Sequence, residues 1–191
     1  MASSPSFFFF FFFFFFFFFF FLLLLTPSLA SPPPPPSSTL IQTTCSLTSN
    51  YDFCVAALRS DPRSLRAKDV KSLSAIALRI AVAKAKTTAA YAASLAKNAT
   101  EAAASRSAFR TCAEKYKNAG EALRWALGSL AQENYDYACV HIGAAQEYAS
   151  TCGRLFFRRN PGMAFPAAMA KREDELQRLC GTAFDIISQL G

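Results

Sequence analysis

The apolar residues between Ala104 and Gln132 fall at Phe109, Cys112, Tyr116, Ala119, Leu123, Ala126 and Leu130. Steps of three and four in strict alternation place them on one stripe of a helix. A second stripe runs through Ala138, Ile142, Ala145, Ala149, Cys152 and Phe156. A third takes in Met169, Arg172, Leu176, Leu179, Ala183, Ile186 and Leu190, interrupted only by the arginine. Upstream, Leu73, Ile76, Ile80, Ala83, Thr87, Tyr91 and Leu95 mark an alanine-rich helix, preceded by the cap or turn signal Asp61-Pro62. The pattern predicts four helices of roughly 20 to 30 residues, and their short connections favour antiparallel neighbours. The fold class is therefore all-α, an up-and-down antiparallel four-helix bundle.

Six cysteines stand at 45, 54, 112, 139, 152 and 180, with no CxxC pair. If the second and third bundle helices turn near Glu133, Cys112 lies 21 residues before the turn and Cys152 lies 19 after it. Both sulfurs then sit at one depth on facing stripes, which favours Cys112–Cys152. The same arithmetic about the Ser49-Asn50 break favours Cys45–Cys54, a staple for an N-terminal helical hairpin over residues 40–59. The longer loop is worth roughly 3 to 4 kcal/mol on a chain-entropy model. About a turn near Pro161, Cys139 and Cys180 are three residues out of step, or ~4.5 Å along the axis. Two unpaired thiols are expected there, the alternatives being a third bridge or an intermolecular link.

The N-terminus is of a different kind. Fifteen of the 21 phenylalanines form one run, Phe7 to Phe21, inside a 19-residue apolar block that ends at Leu25. Thr26-Pro27 and the small-residue pattern Ser28-Leu29-Ala30 follow, as at a signal-peptidase site. Residues 1–30 are read as a signal peptide cleaved between Ala30 and Ser31. The alternative is a retained anchor, since 19 apolar residues at ~1.5 Å each approach the ~30 Å of a bilayer core. Five consecutive prolines then make residues 31–39 an extended, proline-rich spacer. The secretory route makes disulfides the default state of paired cysteines.

Composition removes several chemistries. Lysine and arginine outnumber aspartate and glutamate by 20 to 13, for a net charge of +7, and there is one histidine. That scarcity argues against a zinc site and against histidine-based acid–base mechanisms, so no metal or other cofactor is expected. His141 reads as structural. Glu173, Asp174 and Glu175 read as an exposed acidic cluster in the first turn of the last helix, favourable to its dipole. A glycosidase carboxylate pair would instead be buried across a cleft. No catalytic residue is assigned.

Asn50-Tyr51-Asp52-Phe53-Cys54, Ser60-Asp61-Pro62-Arg63-Ser64, Phe109 through Tyr116, and Ala144-Ala145 through Thr151-Cys152 resemble the plant invertase and pectin methylesterase inhibitor family. The resemblance covers Leu40 to Leu190 and assigns residues 40–190 to an inhibitor domain. It implies a four-helix bundle with an N-terminal hairpin, the first two and next two family cysteines paired, and secretion to the apoplast and cell wall. It also implies an inhibitor rather than an enzyme, one that lays the bundle over the active-site cleft of a pectin methylesterase or an acid invertase. Invertase-directed members share a Pro-Lys-Phe element at the turn into the third bundle helix. Here that stretch is Glu133-Asn134-Tyr135-Asp136-Tyr137-Ala138, without proline or lysine, which favours pectin methylesterase as the partner. The Asn50–Cys54 and Ser60–Ser64 segments pull toward members named invertase inhibitors. After Cys152, where the family often has an acidic residue, the chain has Gly153-Arg154.

Within that frame Asn134, Tyr135, Asp136 and Tyr137 are candidate target-binding residues, with helix capping and tyrosine packing as the alternative. Asn98-Ala99-Thr100 is a glycosylation sequon. The basic segments Arg59–Lys71 and Arg154–Arg159 could attract an acidic enzyme rim or de-esterified pectin, or be simply solvated. No nucleic-acid module is recognisable, and no membrane association is expected once the leader is gone. A monomer is expected. The remaining rival is a structural or membrane-tethered wall protein.

Overall fold

The computed structural model describes residues 36–98, 103–159 and 164–191, together with Phe15, Phe16 and Phe18 of the apolar run, which are helical. The Ala30–Ser31 cleavage point, the prolines through Pro35, Ala99 and Thr100 of the sequon, and the turn at Pro161 lie outside the described residues. Pro35–Gly191 forms one compact unit.

Helix α1 spans Pro36–Cys45 and α2 spans Tyr51–Arg59, followed by a short 3-10 turn, Pro62–Arg66. The four long helices are α3 (Val70–Asn98), α4 (Ala103–Ala131), α5 (Tyr135–Arg159) and α6 (Ala167–Ile187). One expectation needs correction. The proline-rich segment is not extended to its end, because α1 begins at Pro36. A proline is at home in the first helical turn, where its missing N–H has no intrahelical partner to lose and its φ is already set.

Short polar side chains fix where the helices start. Asn50 Oδ1 accepts the N–H of Phe53 at 3.2 Å, Asp61 Oδ1 that of Arg63 at 2.9 Å, and Asp69 Oδ1 that of Ser72 at 2.7 Å. Each satisfies a backbone donor the helix leaves orphaned.

The long helices pack in ring order, α3 on α4, α4 on α5, α5 on α6 and α6 back on α3, as an up-and-down bundle requires. The stripes of α4 and α5 are buried at every predicted position. That of α6 is buried except for the half-buried Arg172 and Leu190. Phe109, Phe156 and Phe165 stack at one end, with ring centroids 5.2 and 5.1 Å apart.

Helix α3 differs from its predicted stripe. Its buried face is Ser74, Ala77, Ala81, Ala85, Thr88, Ala92 and Ala96, whereas Ala83 and Thr87 are exposed and Ile80 is half-buried. Leu73 and Ile76 are buried as the stripe predicts, and so is Leu78, but beyond them the larger residues of so alanine-rich a helix do not mark the core. The small face lets α4 approach closely: a Cβ on Gly120 would lie 3.7 Å from Ala85 Cβ. The larger residues flank the seam. Tyr91 receives the Arg172 guanidinium 4.3 Å above its ring, which explains how an arginine interrupts the α6 stripe.

Two disulfides close the frame. Cys45–Cys54 joins α1 to α2, and Cys112–Cys152 joins α4 to α5 with Cα atoms 4.9 Å apart. The α1–α2 hairpin docks on α6. The Ser49 N–H donates to Asp185 Oδ2 at 2.7 Å, Gln189 Nε2 donates to the Thr44 carbonyl at 3.1 Å, and the Arg178 guanidinium lies 4.1 Å from the Phe53 ring centroid.

Candidate target-binding surface

The α4–α5 turn is built from backbone hydrogen bonds. Asn134 N–H donates to the Ser129 carbonyl at 2.9 Å and Glu133 N–H to that of Leu130 at 3.1 Å, the paired bonds of a Schellman C-terminus. That motif needs a left-handed residue, and Glu133 supplies it with φ of 61°. Lys71, at the start of α3, holds the Glu133 carboxylate at 2.8 Å. The Asn134 carbonyl accepts the Ala138 N–H at 3.1 Å, which makes Asn134 the residue that leads into α5, and Asp136 lies in the first turn, where its charge favours the helix dipole.

The four candidate residues therefore have different surroundings. Tyr135 is half-buried and packs near the C-terminus, where a Cβ on Gly191 would meet its ring at 3.0 Å. Asn134 and Asp136 are exposed. Tyr137 is 61% exposed and turns outward.

Tyr137 shares the α4–α5 helix pair with two further exposed large residues. Val140, three residues on, is 65% exposed, and Trp125 of α4 is 67% exposed with its ring 6.5 Å from that of His141. His141, half-buried, thus finds its neighbour on the adjacent helix rather than on its own. An exposed ion pair, Arg124 with Glu121 at 2.5 Å, borders the tryptophan. Trp125, Tyr137 and Val140 are large apolar residues on two helices already fixed by a disulfide and a tight turn, so little ordering cost remains on docking. The sequence signal for Trp125 was weak: it stands one position before Ala126 of the buried stripe, just as the buried Ala122 stands before Leu123.

The acidic cluster of α6 is not the exposed first-turn feature expected. The helix starts at Ala167, and only Asp174 is exposed. Glu175 pairs with Lys84 at 2.5 Å. Glu173 points into the bundle, where Glu173 Oε2 accepts the Tyr116 hydroxyl and the Gly153 N–H, each at 3.2 Å. Burial pushes the Glu173 carboxyl above its ordinary value, against the lowering by those two donors and by Arg154. Arg154 itself is held by Glu147 and by Thr151.

Cys139 and Cys180 are free thiols. Cys139 Sγ lies 3.9 Å from Ser188 Oγ, so it sits eight residues along α6 from Cys180, or ~12 Å. The three-residue mismatch expected about Pro161 is thus an underestimate, because α5 stops at Arg159 and α6 starts only at Ala167. Burial raises the Cys180 thiol to about 12. Asn98 is the last residue of α3. Among the described residues no group of three or more His, Cys, Asp or Glu could hold a metal ion, and no helix is long and apolar enough to cross a membrane.

Residues 39–186 match the family described as plant invertase/pectin methylesterase inhibitor. The chain belongs to this family. It is 40% identical over 152 residues to an Arabidopsis thaliana protein named cell wall / vacuolar inhibitor of fructosidase 2, covering 80% of this chain and 83% of that one. It is 43% identical over 158 residues to pectinesterase inhibitor 28 of Oryza sativa subsp. japonica, covering 79% and 69%. The crystal structure of a mutant form of an Arabidopsis pectin methylesterase inhibitor superposes with a TM-score of 0.66 at 23% identity, covering 79% of this chain and 97% of that one. The last likeness concerns the fold. As the family's name and these relatives' names state, its members are inhibitor proteins.

Proposed function

We propose that this member of the inhibitor family acts on pectin methylesterase, and that it covers the enzyme's active-site cleft with the α4–α5 face bearing Trp125, Tyr137 and Val140. The observation that carries the reading is that patch: three large apolar side chains, each more than half exposed, on a rigid helix pair. Buried aromatic anchors ringed by polar groups are what holds a protein interface together. Asn134 and Asp136 lie at its edge, while Tyr135 supports the turn from beneath.

The leader, the disulfides and the name of one relative, a cell wall / vacuolar inhibitor, support a secreted monomer of the apoplast and cell wall, released from residues 1–30 by cleavage after Ala30 and glycosylated at Asn98. N-terminal sequencing of secreted protein that returned Ser31 would support the cleavage, and a start at Met1 would refute it.

An acid invertase is the second reading, favoured by the Arabidopsis relative named for fructosidase inhibition. The turn Glu133–Ala138, lacking proline and lysine, weighs against it. Parallel assays decide between the two: a pectin methylesterase and an acid invertase are each incubated with the protein at acidic pH. The first loses activity and the second does not.

A further inference from the structure

On the other side of α4, facing α3 rather than α5, lies an open groove of about 610 Å³. It falls within the ~300–1,000 Å³ of small-ligand sites. Its rim carries five cations, Arg63, Arg66, Lys68, Lys71 and Arg79, against one carboxylate, Asp69. Two of the five are engaged, Arg63 by Asp61 at 2.5 Å and Lys71 by Glu133 at 2.8 Å. Arg66 and Lys68 are exposed and have no acidic partner among the described residues, and Arg79 is exposed beside them. The floor is aliphatic, formed by Ile76, Leu127 and Leu130.

We propose that this groove binds an acidic oligosaccharide, a run of uronic acid rings with one carboxylate per sugar. The C–H faces of the rings would lie on the aliphatic floor, and their carboxylates would meet Arg66, Lys68 and Arg79. Asp69 sharpens the choice of ligand. Its carboxylate takes the Ser72 N–H but keeps free lone pairs, which accept hydroxyl protons. Asp69 repels either anion, but sugars carry hydroxyls that its lone pairs can accept and polyphosphates do not, so that repulsion is offset only for the former. The lining holds no aromatic ring on which a nucleic-acid base would stack. Because the groove and the Trp125 patch occupy opposite flanks of α4, both can be filled at once. That the sugar is de-esterified pectin rests on the cell-wall reading above.

The test uses the purified full protein without any enzyme, so its outcome is independent of whether inhibition occurs. Calorimetric titration at low ionic strength compares de-esterified oligogalacturonate, the same oligomer fully methyl-esterified, and inorganic polyphosphate. The de-esterified oligomer is expected to bind at least tenfold more tightly than either. The double variant Arg66→Gln/Lys68→Gln, and separately Arg79→Gln, are expected to weaken it about tenfold at unchanged Tm. Lys117→Gln, an exposed change elsewhere on α4, is expected to leave it unchanged. Equal affinity for polyphosphate, undiminished binding by both groove variants, or no binding at all would overturn the proposal.

Discussion

The Tyr116 hydroxyl donates to the Glu173 carboxylate across 3.2 Å, tying α4 to α6 one helical turn from the Cys112–Cys152 bridge. Tyr116 is fully buried and Glu173 half so. The contact gives the bundle a polar clasp, with Gly153 N–H as its third member in tight quarters: a Cβ there would stand 3.1 Å from Glu173 Oε1, and the carboxylate would have to shift. Such clasps are stable only while every member is satisfied.

A pH dependence follows from the clasp. The Glu173 carboxyl titrates above its ordinary value of 4.5 in the folded chain, chiefly through burial. The folded state therefore holds a proton that the unfolded state has lost, and this contribution is full below the unfolded value and declines as pH rises through the folded one. Glu173→Gln, which keeps an acceptor and removes the charge, is expected to flatten the fall in Tm between acidic and neutral pH. Thermal scans across that range check it, and an unchanged slope would count against it.

The two bridges should contribute unequally. Loops of 40 and 9 residues correspond to about 4 and about 2.5 kcal/mol on the chain-entropy model. Replacing Cys112 and Cys152 together by alanine is expected to destabilise the protein more than replacing Cys45 and Cys54. Urea unfolding of both double variants supplies the ranking. Cys139→Ala, which breaks no bridge, is expected to cost less than either.

Glu133 offers a backbone test. A non-glycine residue at φ of 61° is strained by its own Cβ, which glycine lacks. Glu133→Gly and Glu133→Ala both lose Lys71, so their comparison isolates the backbone. The glycine variant is expected to melt about 2–4 °C above the alanine variant.

Thr88 is fully buried in the α3 seam, and its hydroxyl has no hydrogen-bond partner among the described residues. Removing an unpaired buried polar group relieves its desolvation cost. Thr88→Val, which keeps the shape, is expected to raise stability by about 1 kcal/mol, measurable by the same urea titration.

Much of the bundle was legible before any coordinates, for a definite reason. In α4 the spacing of three and four is carried by residues of contrasting size and polarity, so the stripe from Phe109 to Leu130 has one register, and in α5 Ile142, Cys152 and Phe156 anchor the alanines between them. Alanine gives no such contrast, so beyond Leu73 and Ile76 the buried face of α3 departs from the stripe its larger residues suggest. Turn position carried the depth comparison of Cys112 with Cys152, because the break at Glu133 is short and sharp. The same arithmetic failed in degree for Cys139 and Cys180, where seven residues separate α5 from α6. Glu173 departs from the exposed cluster because polarity alone does not reveal that a buried tyrosine on another helix faces it. Among the candidate binding residues, Tyr137 is solvent-facing and Tyr135 packs inward, a distinction that depends on where the C-terminus returns. Trp125 joins Tyr137 only through the pairing of two helices.

The central claim is that the α4–α5 face blocks a pectin methylesterase. Titrating a fixed amount of that enzyme with the native protein and with Trp125→Ala, at matched Tm, tests it most directly. Activity is expected to fall to near zero at one equivalent of native protein, with the variant at least tenfold weaker. Undiminished enzyme activity at excess inhibitor, or equal potency of the variant, would contradict it.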